Sequence, residues 1–215
     1  MVALSAASSG GREEIALARP SKARLAGFPR FILKTSKKLF RAHKSTNGPW
    51  WFSANGTGRF DVTGDKGTCY LADSAAAALR EALGAPLVTA GVIDLAELDD
   101  RVISNLRVQT PLSLADTTSP MAANHGITKE VSTTVPYAVP QAWAKAWAGA
   151  GMHGVRYAGR FSTAPKDRCY ALFGSAGASP GSVDPAPRPA AWVAEKAGIR
   201  IVQRPASVTI VQPPS

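Results

Sequence analysis

Thr68-Cys69-Tyr70-Leu71-Ala72-Asp73-Ser74-Ala75-Ala76-Ala77-Ala78-Leu79-Arg80-Glu81-Ala82-Leu83-Gly84 is the stretch on which the reading of this chain turns. Its first five residues read as a strand. Asp73 or Ser74 can then accept the orphan amides of a helix start. The run Ala75–Leu83 is dominated by alanine, the best helix former, and Gly84 and Pro86 stop it. Glu81 is the one carboxylate of that helix. Its neighbours Ala77, Ala78, Ala82 and Leu83 are small or apolar. It therefore faces either a cleft or solvent, where Arg80 could pair with it.

Upstream, Lys38-Leu39-Phe40-Arg41-Ala42-His43 reads as a strand, and Gly48–Gly67 as a loop rich in glycine and aromatics. Downstream, Leu87–Leu95 has the apolar character of a further strand. The segment Asp99–Lys129 carries turn signals at Thr110-Pro111 and Ser119-Pro120 but no clear element. Pro140 suits the start of a helix running from Gln141 to Ala150, which Gly151–Gly154 end. Val155-Arg156-Tyr157 and Arg168–Phe173 read as strands. Residues 174–189 form a loop rich in Gly, Ser and Pro. Ile199–Val202 and Ser207–Val211 resemble terminal strands. Strands and helices alternate without regular βαβ spacing, so a single α+β (mixed α/β) domain is expected. It would span residues 31–215, after a flexible extension over residues 1–30 in which Ile15, Ala16, Leu17 and Leu25 could form a docked helix.

The 215-residue chain carries a net charge of +10, which calls for an acidic partner: a phosphorylated small molecule, a nucleic acid or an acidic protein. Its two cysteines, Cys69 and Cys169, lie in strand-like surroundings, so two separate core thiols are expected rather than a disulfide framework. No apolar run approaches the roughly 20 residues that span a bilayer, and no signal peptide is visible, so a cytoplasmic location is expected. His43, His125 and His153 lack metal-ligand spacing, and no metal is expected. No Ser-His-Asp arrangement is recognisable. Trp50, Trp51, Trp143, Trp147 and Trp192 read as core or cleft walls.

Gly56-Thr57-Gly58-Arg59-Phe60 is neither a P-loop nor a dinucleotide fingerprint, because it lacks GxxxxGK[ST] and opens no helix. Its glycines still permit close backbone approach to a ligand. Arg41 and Arg59 are candidate phosphate ligands, since guanidinium binds phosphate oxygens in a bidentate fork. Among 25 basic residues, the default for any one arginine is a solvated or acid-paired surface charge.

Taken in order, Leu39-Phe40-Arg41, Phe52-Ser53 through Gly58-Arg59-Phe60, Tyr70-Leu71-Ala72 and Glu81 resemble the first half of the RES domain family. Pro140-Gln141-Ala142-Trp143-Ala144, Gly154-Val155-Arg156-Tyr157 and Ala171-Leu172-Phe173 resemble the second half. The resemblance covers about residues 38–174. It implies a split central sheet like that of ADP-ribosyltransferase toxins, and NAD as substrate rather than a resident cofactor. It further implies cleavage of the nicotinamide–ribose bond with inorganic phosphate as co-substrate, in a toxin held by a helix-turn-helix antitoxin. Either a homo-oligomer or a complex with such an antitoxin is expected. Glu81, Arg41 and Arg59 would be catalytic. Arg41, Arg59, Phe60, Tyr70 and Ser53 would hold NAD, with Phe60 and Tyr70 stacked on nicotinamide. The family often has serine where Gly159 stands in Tyr157-Ala158-Gly159-Arg160. Ser162 or Ser53 would then supply the hydroxyl, or Gly159→Ser would restore it. Two other readings use the same site: ADP-ribosyl transfer to a protein or nucleic acid, and an inactive NAD-binding relative.

Overall fold

A computed structural model describes residues 16–162, 164 and 167–203. The expected flexible start over residues 1–15 and the strand at Ser207–Val211 lie outside the described residues. The chain enters through a short helix α1 (Lys22–Leu25), followed by strands β1 (Arg30–Leu33), β2 (Leu39–Lys44), β3 (Trp51–Phe52) and β4 (Lys66–Ala72). Helix α2 (Ala75–Leu83) forms where the sequence places it. The Ser74 side chain accepts the Ala77 amide, and Gly84 at φ 64° ends the helix.

The next segment differs from expectation. Instead of a strand over Leu87–Leu95 there is helix α3 (Ala85–Ala90), then a two-residue strand β5 (Ile93–Asp94). Pro86 falls in the first turn of α3, where its missing N–H is not needed, and Gly91 in the left-handed region closes it. The same proline that stops α2 therefore starts α3. Strands β6 (Arg101–Leu106) and β7 (Leu112–Asp116) occupy the segment the sequence left unassigned. Helix α4 (Ala138–Gly149) begins three residues before Gln141, with Pro140 inside its first turn. Then come β8 (Gly154–Tyr157), β9 (Cys169–Ser175), β10 (Gly177–Ala178), β11 (Arg188–Pro189), helix α5 (Ala190–Lys196) and β12 (Ile201–Val202). Helix α5 has no counterpart in the sequence reading.

Eight strands form one sheet in the order β1-β7-β8-β9-β4-β2-β6-β11, antiparallel except for the parallel pair β7–β8. Pairing is uneven along it. Strand β4 runs beside β9 from Lys66 opposite Ser175 to Ala72 opposite Cys169. Strand β2 runs beside β6 from Leu39 opposite Leu106 to Lys44 opposite Arg101. Between them, β2 and β4 meet only where Phe40 faces Ala72. The sheet is thus nearly divided along one seam, in keeping with the split sheet that the resemblance implied.

Period-two alternation loads both faces of the sheet. Cys69, Leu71, Tyr170 and Leu172 point into one core with Leu33, Leu39 and Leu106. Ala72, Cys169 and Ala171 point into the other, where Phe60 and Tyr157 meet Trp143 and Trp147 of α4. Helices α2, α3 and α5 bury Leu79, Leu87 and Val193 in a third cluster over the β2–β6 half. Trp51 and Trp192, by contrast, are exposed. Both cysteines are buried and free.

The described part of the supposed extension is not free. Leu17 and Phe28 are buried in the α4 core. The Leu17 amide donates to Glu130, the Ala18 amide to the Gly126 carbonyl, and the Trp143 indole N–H to the Ala18 carbonyl at 2.7 Å. The packed domain therefore starts before residue 31, because α4 needs an apolar cover that the segment 17–28 supplies. Leu17 is only 5% exposed, so Leu17→Ala is expected to cost about 2 kcal/mol or more of unfolding free energy. Urea denaturation with an unchanged m-value would measure it, and a loss under about 0.5 kcal/mol would mean that the segment is dispensable.

Candidate functional site

A cavity of about 330 Å³ opens where β2 and β4 part. Strand β2 brings Arg41 to it, β4 brings Tyr70 and Ala72, and α2 brings Ala78, Glu81 and Ala82. The loop before β4 adds Gly58 and Arg59. The segment ahead of α4 adds Tyr137, and the end of β8 with the turn beyond it adds Tyr157, Arg160 and Phe161.

Glu81 is well placed by α2. With Ser74 fixing the helix start, residues 77, 78 and 81 share a face directed at the sheet. Ala77 and Ala78 are buried there, and Glu81 projects past them into the cavity. Its carboxylate accepts the Phe161 amide at 2.6 Å. Burial raises the Glu81 pKa from the usual carboxylate value, against the opposing pull of the Phe161 and Arg160 amides and the Arg59 guanidinium. Arg80, the helix neighbour that might have paired with it, turns away and donates to the Ala197 carbonyl.

Arg59 is almost wholly buried. Its Nη1 donates to the Thr134 carbonyl at 2.6 Å, and the guanidinium stacks 4.4 Å from the centre of the Tyr137 ring. Burial lowers its pKa from the usual guanidinium value, with Tyr137, Tyr157 and Glu81 pulling the other way. A bound anion would give this cation the solvation that burial removed. Arg41 acts across the seam: its Nη1 donates to the Pro49 carbonyl and lies 3.2 Å from Cys69 Sγ on β4. The Cys69 thiol is pushed up to about 11 by burial, although Arg41 pulls it down. Tyr70 is locked in place. Its hydroxyl donates to Asp61 Oδ1 at 2.8 Å and accepts the Phe60 amide at 2.9 Å. Burial, then the Asp61 carboxylate, raise the Tyr70 pKa well above its usual value.

The structure thus gathers Arg41, Arg59, Tyr70 and Glu81 around one cavity, but not Ser53 or Phe60. Ser53 bridges Thr68 through backbone bonds on the β4 edge opposite β9, and does not line the cavity. Phe60 is fully buried, its ring 4.7 Å from that of Tyr157 and 6.4 Å from that of Trp147. Arg59 and Phe60 are the two central residues of a turn that the Asp61 amide closes on the Gly58 carbonyl, with Arg59 at the cavity and Phe60 in the core. Ser162 is also spent, donating to Asp167 at 2.6 Å.

Gly159 also has a steric consequence. A Cβ built there would lie 2.8 Å from Glu81 Oε1 and 3.1 Å from Cys169 Sγ. The glycine leaves the space that the Glu81 carboxylate fills. Sequence reasoning missed Arg160, Tyr137, Tyr157 and Phe161 as lining residues. Arg160 directly follows Gly159, so that segment held a usable signal. Tyr137, between Pro136 and Pro140, held none.

Among the described residues, no group of three or more His, Cys, Asp or Glu side chains is placed to hold a metal ion, and no helix is long and apolar enough to cross a membrane. No curated protein matches the chain in sequence. Among solved structures, a chain of the MbcT–MbcA toxin–antitoxin complex of M. tuberculosis shares the fold with a TM-score of 0.61. It is 18% identical, over 78% of this chain and 92% of that one. The sequence model of the RES domain matches residues 38–193, a span that holds both halves of the β2–β4 seam and every cavity residue named above. The chain belongs to the RES domain family.

Proposed function

We propose that this protein cleaves NAD at the nicotinamide–ribose bond with inorganic phosphate as acceptor, giving nicotinamide and ADP-ribose-1-phosphate. The observation that carries this reading is a single carboxylate, Glu81, sharing one cavity with Arg41, Arg59 and Arg160. Three guanidinium-bearing residues suit a diphosphate and an attacking phosphate. In the reaction the C1′–N bond breaks and its electron pair leaves with nicotinamide. Positive charge gathers on the ribose, as in glycoside cleavage. A phosphate oxygen then bonds to C1′. Glu81 stabilises the cationic sugar by charge, without forming a bond to it. Tyr70, Tyr157 and Phe161 offer aromatic walls for the nicotinamide ring.

The role of a toxin in a toxin–antitoxin pair goes with this reading. It draws on family membership and on the fold shared with the toxin–antitoxin structure. An acidic antitoxin would suit the +10 chain, because charge complementarity speeds association. Incubation of purified protein with NAD, with and without phosphate, followed by mass spectrometry, tests the chemistry. Phosphate-dependent ADP-ribose-1-phosphate is the expected product. Free ADP-ribose would mark water as the acceptor, an ADP-ribosylated macromolecule would mark transfer, and intact NAD would mark a binding module.

Glu81→Gln keeps the shape of the side chain and removes its charge, so NAD turnover is expected to fall at least about 100-fold with the fold retained. Near-normal turnover by a folded variant would remove Glu81 from the mechanism. The pH profile gives a second check. Turnover needs ionised Glu81, whose pKa is raised, so activity is expected to be lost as pH falls through a value above that of an ordinary glutamate. An acid limb at or below the ordinary glutamate value would contradict the assignment. Gly159→Ser is expected to lower turnover, because its Cβ presses on the Glu81 carboxylate that the Phe161 amide holds in place. A gain in NAD cleavage would show instead that a hydroxyl is what this site lacks.

A further inference from the structure

The loop that carries Arg59 is held from both sides by groups that do not themselves line the cavity. On the sheet side is Asp61, 1% exposed. Its Oδ2 accepts the Gly58 amide at 2.8 Å, and its Oδ1 accepts the Tyr70 hydroxyl at 2.8 Å. On the α4 side is Gln141. Its Nε2 donates to the Gly56 carbonyl at 2.8 Å and to the Gly58 carbonyl at 2.9 Å. Both peptide groups of Gly58 that flank the loop tip are therefore fixed, the amide by the Asp61 carboxylate and the carbonyl by Gln141 together with the Asp61 amide at 3.2 Å. The carbonyl of Gly58 belongs to the peptide that starts Arg59. Gly58 itself has no room for a side chain, since a Cβ would collide with Asp61 and the Tyr70 hydroxyl.

We infer that Asp61 and Gln141 are positioning residues that form a two-sided clamp on the Arg59 loop, and that anion affinity at this site depends on the clamp acting through Arg59. The inference rests on reading the cavity as an anion site. Each half of the clamp is chemically specific. The Asp61 carboxylate meets two donors, so an amide in its place would turn an N–H₂ toward one of them. The Gln141 amide meets two carbonyl acceptors, so a carboxylate in its place would face them with like partial charge. Loss of the Gln141 half frees the loop to move Arg59 without changing any group in the cavity, whereas loss of Asp61 also releases the Tyr70 hydroxyl.

The test is a double-mutant cycle read by calorimetric titration of inorganic pyrophosphate into the purified full-length protein. Asp61→Asn and Gln141→Glu are each expected to weaken pyrophosphate binding about tenfold. Arg59→Ala weakens it further, and in the Arg59→Ala background the Gln141→Glu loss should disappear. Gln141 is partly exposed on a helix, so its variant remains informative if the buried Asp61→Asn change impairs folding. Equal losses from Gln141→Glu with and without Arg59 would overturn the clamp, as would wild-type affinity in the Gln141→Glu protein. If wild-type protein takes no pyrophosphate, the anion-site reading fails and the clamp with it. Pyrophosphate binding with the predicted coupling but no NAD turnover would uphold the clamp and sink only the proposed reaction.

Discussion

The parting of β2 from β4 is the constraint on which the rest of the molecule depends. Two neighbouring strands that share only the Phe40–Ala72 position leave a notch in an otherwise continuous sheet. Backbone groups along such a notch need partners other than each other. Part of that need is met by side chains that cross the gap: Arg41 reaches from β2 to the Pro49 carbonyl and to Cys69 on β4. The blocks β6–β2 and β4–β9–β8–β7–β1, each paired more extensively than β2 with β4, hold the two lips apart. They can do so because each has its own core, one under α2, α3 and α5 and the other under α4. The cavity is therefore a product of sheet geometry, and the two blocks fix its width before any functional side chain is added.

Into that notch the fold places charges that resist burial. Taking a carboxylate or guanidinium out of water costs several kcal/mol unless hydrogen bonds and counter-charges offset it. Here the offsets are partial. Glu81 has backbone amides and nearby guanidiniums, and Arg59 has a carbonyl, an aromatic ring and a carboxylate, yet burial is still the largest influence on both. A site left under-compensated when empty gains most from a ligand that carries the missing charges. A molecule with an anionic diphosphate and a sugar that turns cationic would complete both sets of interactions at once. The second half of that completion arises only as the bond breaks, which is the condition for accelerating a reaction and not merely binding its substrate.

What the sequence disclosed divides by range. Helix α2 and strand β4 were legible to the residue or nearly so, because capping, alanine propensity and a glycine stop act within a few residues. The same local logic failed at Leu87–Leu95, where an apolar, partly β-branched run fits strand and short helix alike and Pro86 decides for helix only once Gly84 has reset the chain direction. Helix α5 was missed because its apolar face is defined by α2, more than a hundred residues away. At the site, Arg41, Arg59 and Glu81 stood out by residue type and local sequence, and the family pattern joined them and added Tyr70. Ser53 and Phe60 were carried along by that pattern without regard to side-chain direction. Arg59 and Phe60 share one turn, and a linear motif does not say which of the two faces the cavity and which the core. The seam itself is a pairing that β2 and β4 fail to make, and an absent pairing leaves no mark on either strand.

Gly159 shows how a family pattern and a structure can read one residue in opposite senses. By the resemblance to the family it reads as a hydroxyl missing. Measured in place, it is a wall moved back, so that the Glu81 carboxylate can lie within 2.8 Å of where a Cβ would be while accepting the Phe161 amide. The two readings assign different work to the neighbouring segment. If the serine position served only to donate a hydrogen bond, its loss would leave Glu81 unchanged and the ligand short of one contact. In this chain the turn after β8 instead addresses Glu81 directly, through the amides of Arg160 and Phe161. Those donors are backbone groups, which no substitution other than proline at their own positions removes. The turn thus fixes the carboxylate by main-chain geometry and leaves the Arg160 side chain available to the cavity. A glycine at the pivot is what permits both, because it lets the backbone approach the carboxylate closely enough for its amides to bond.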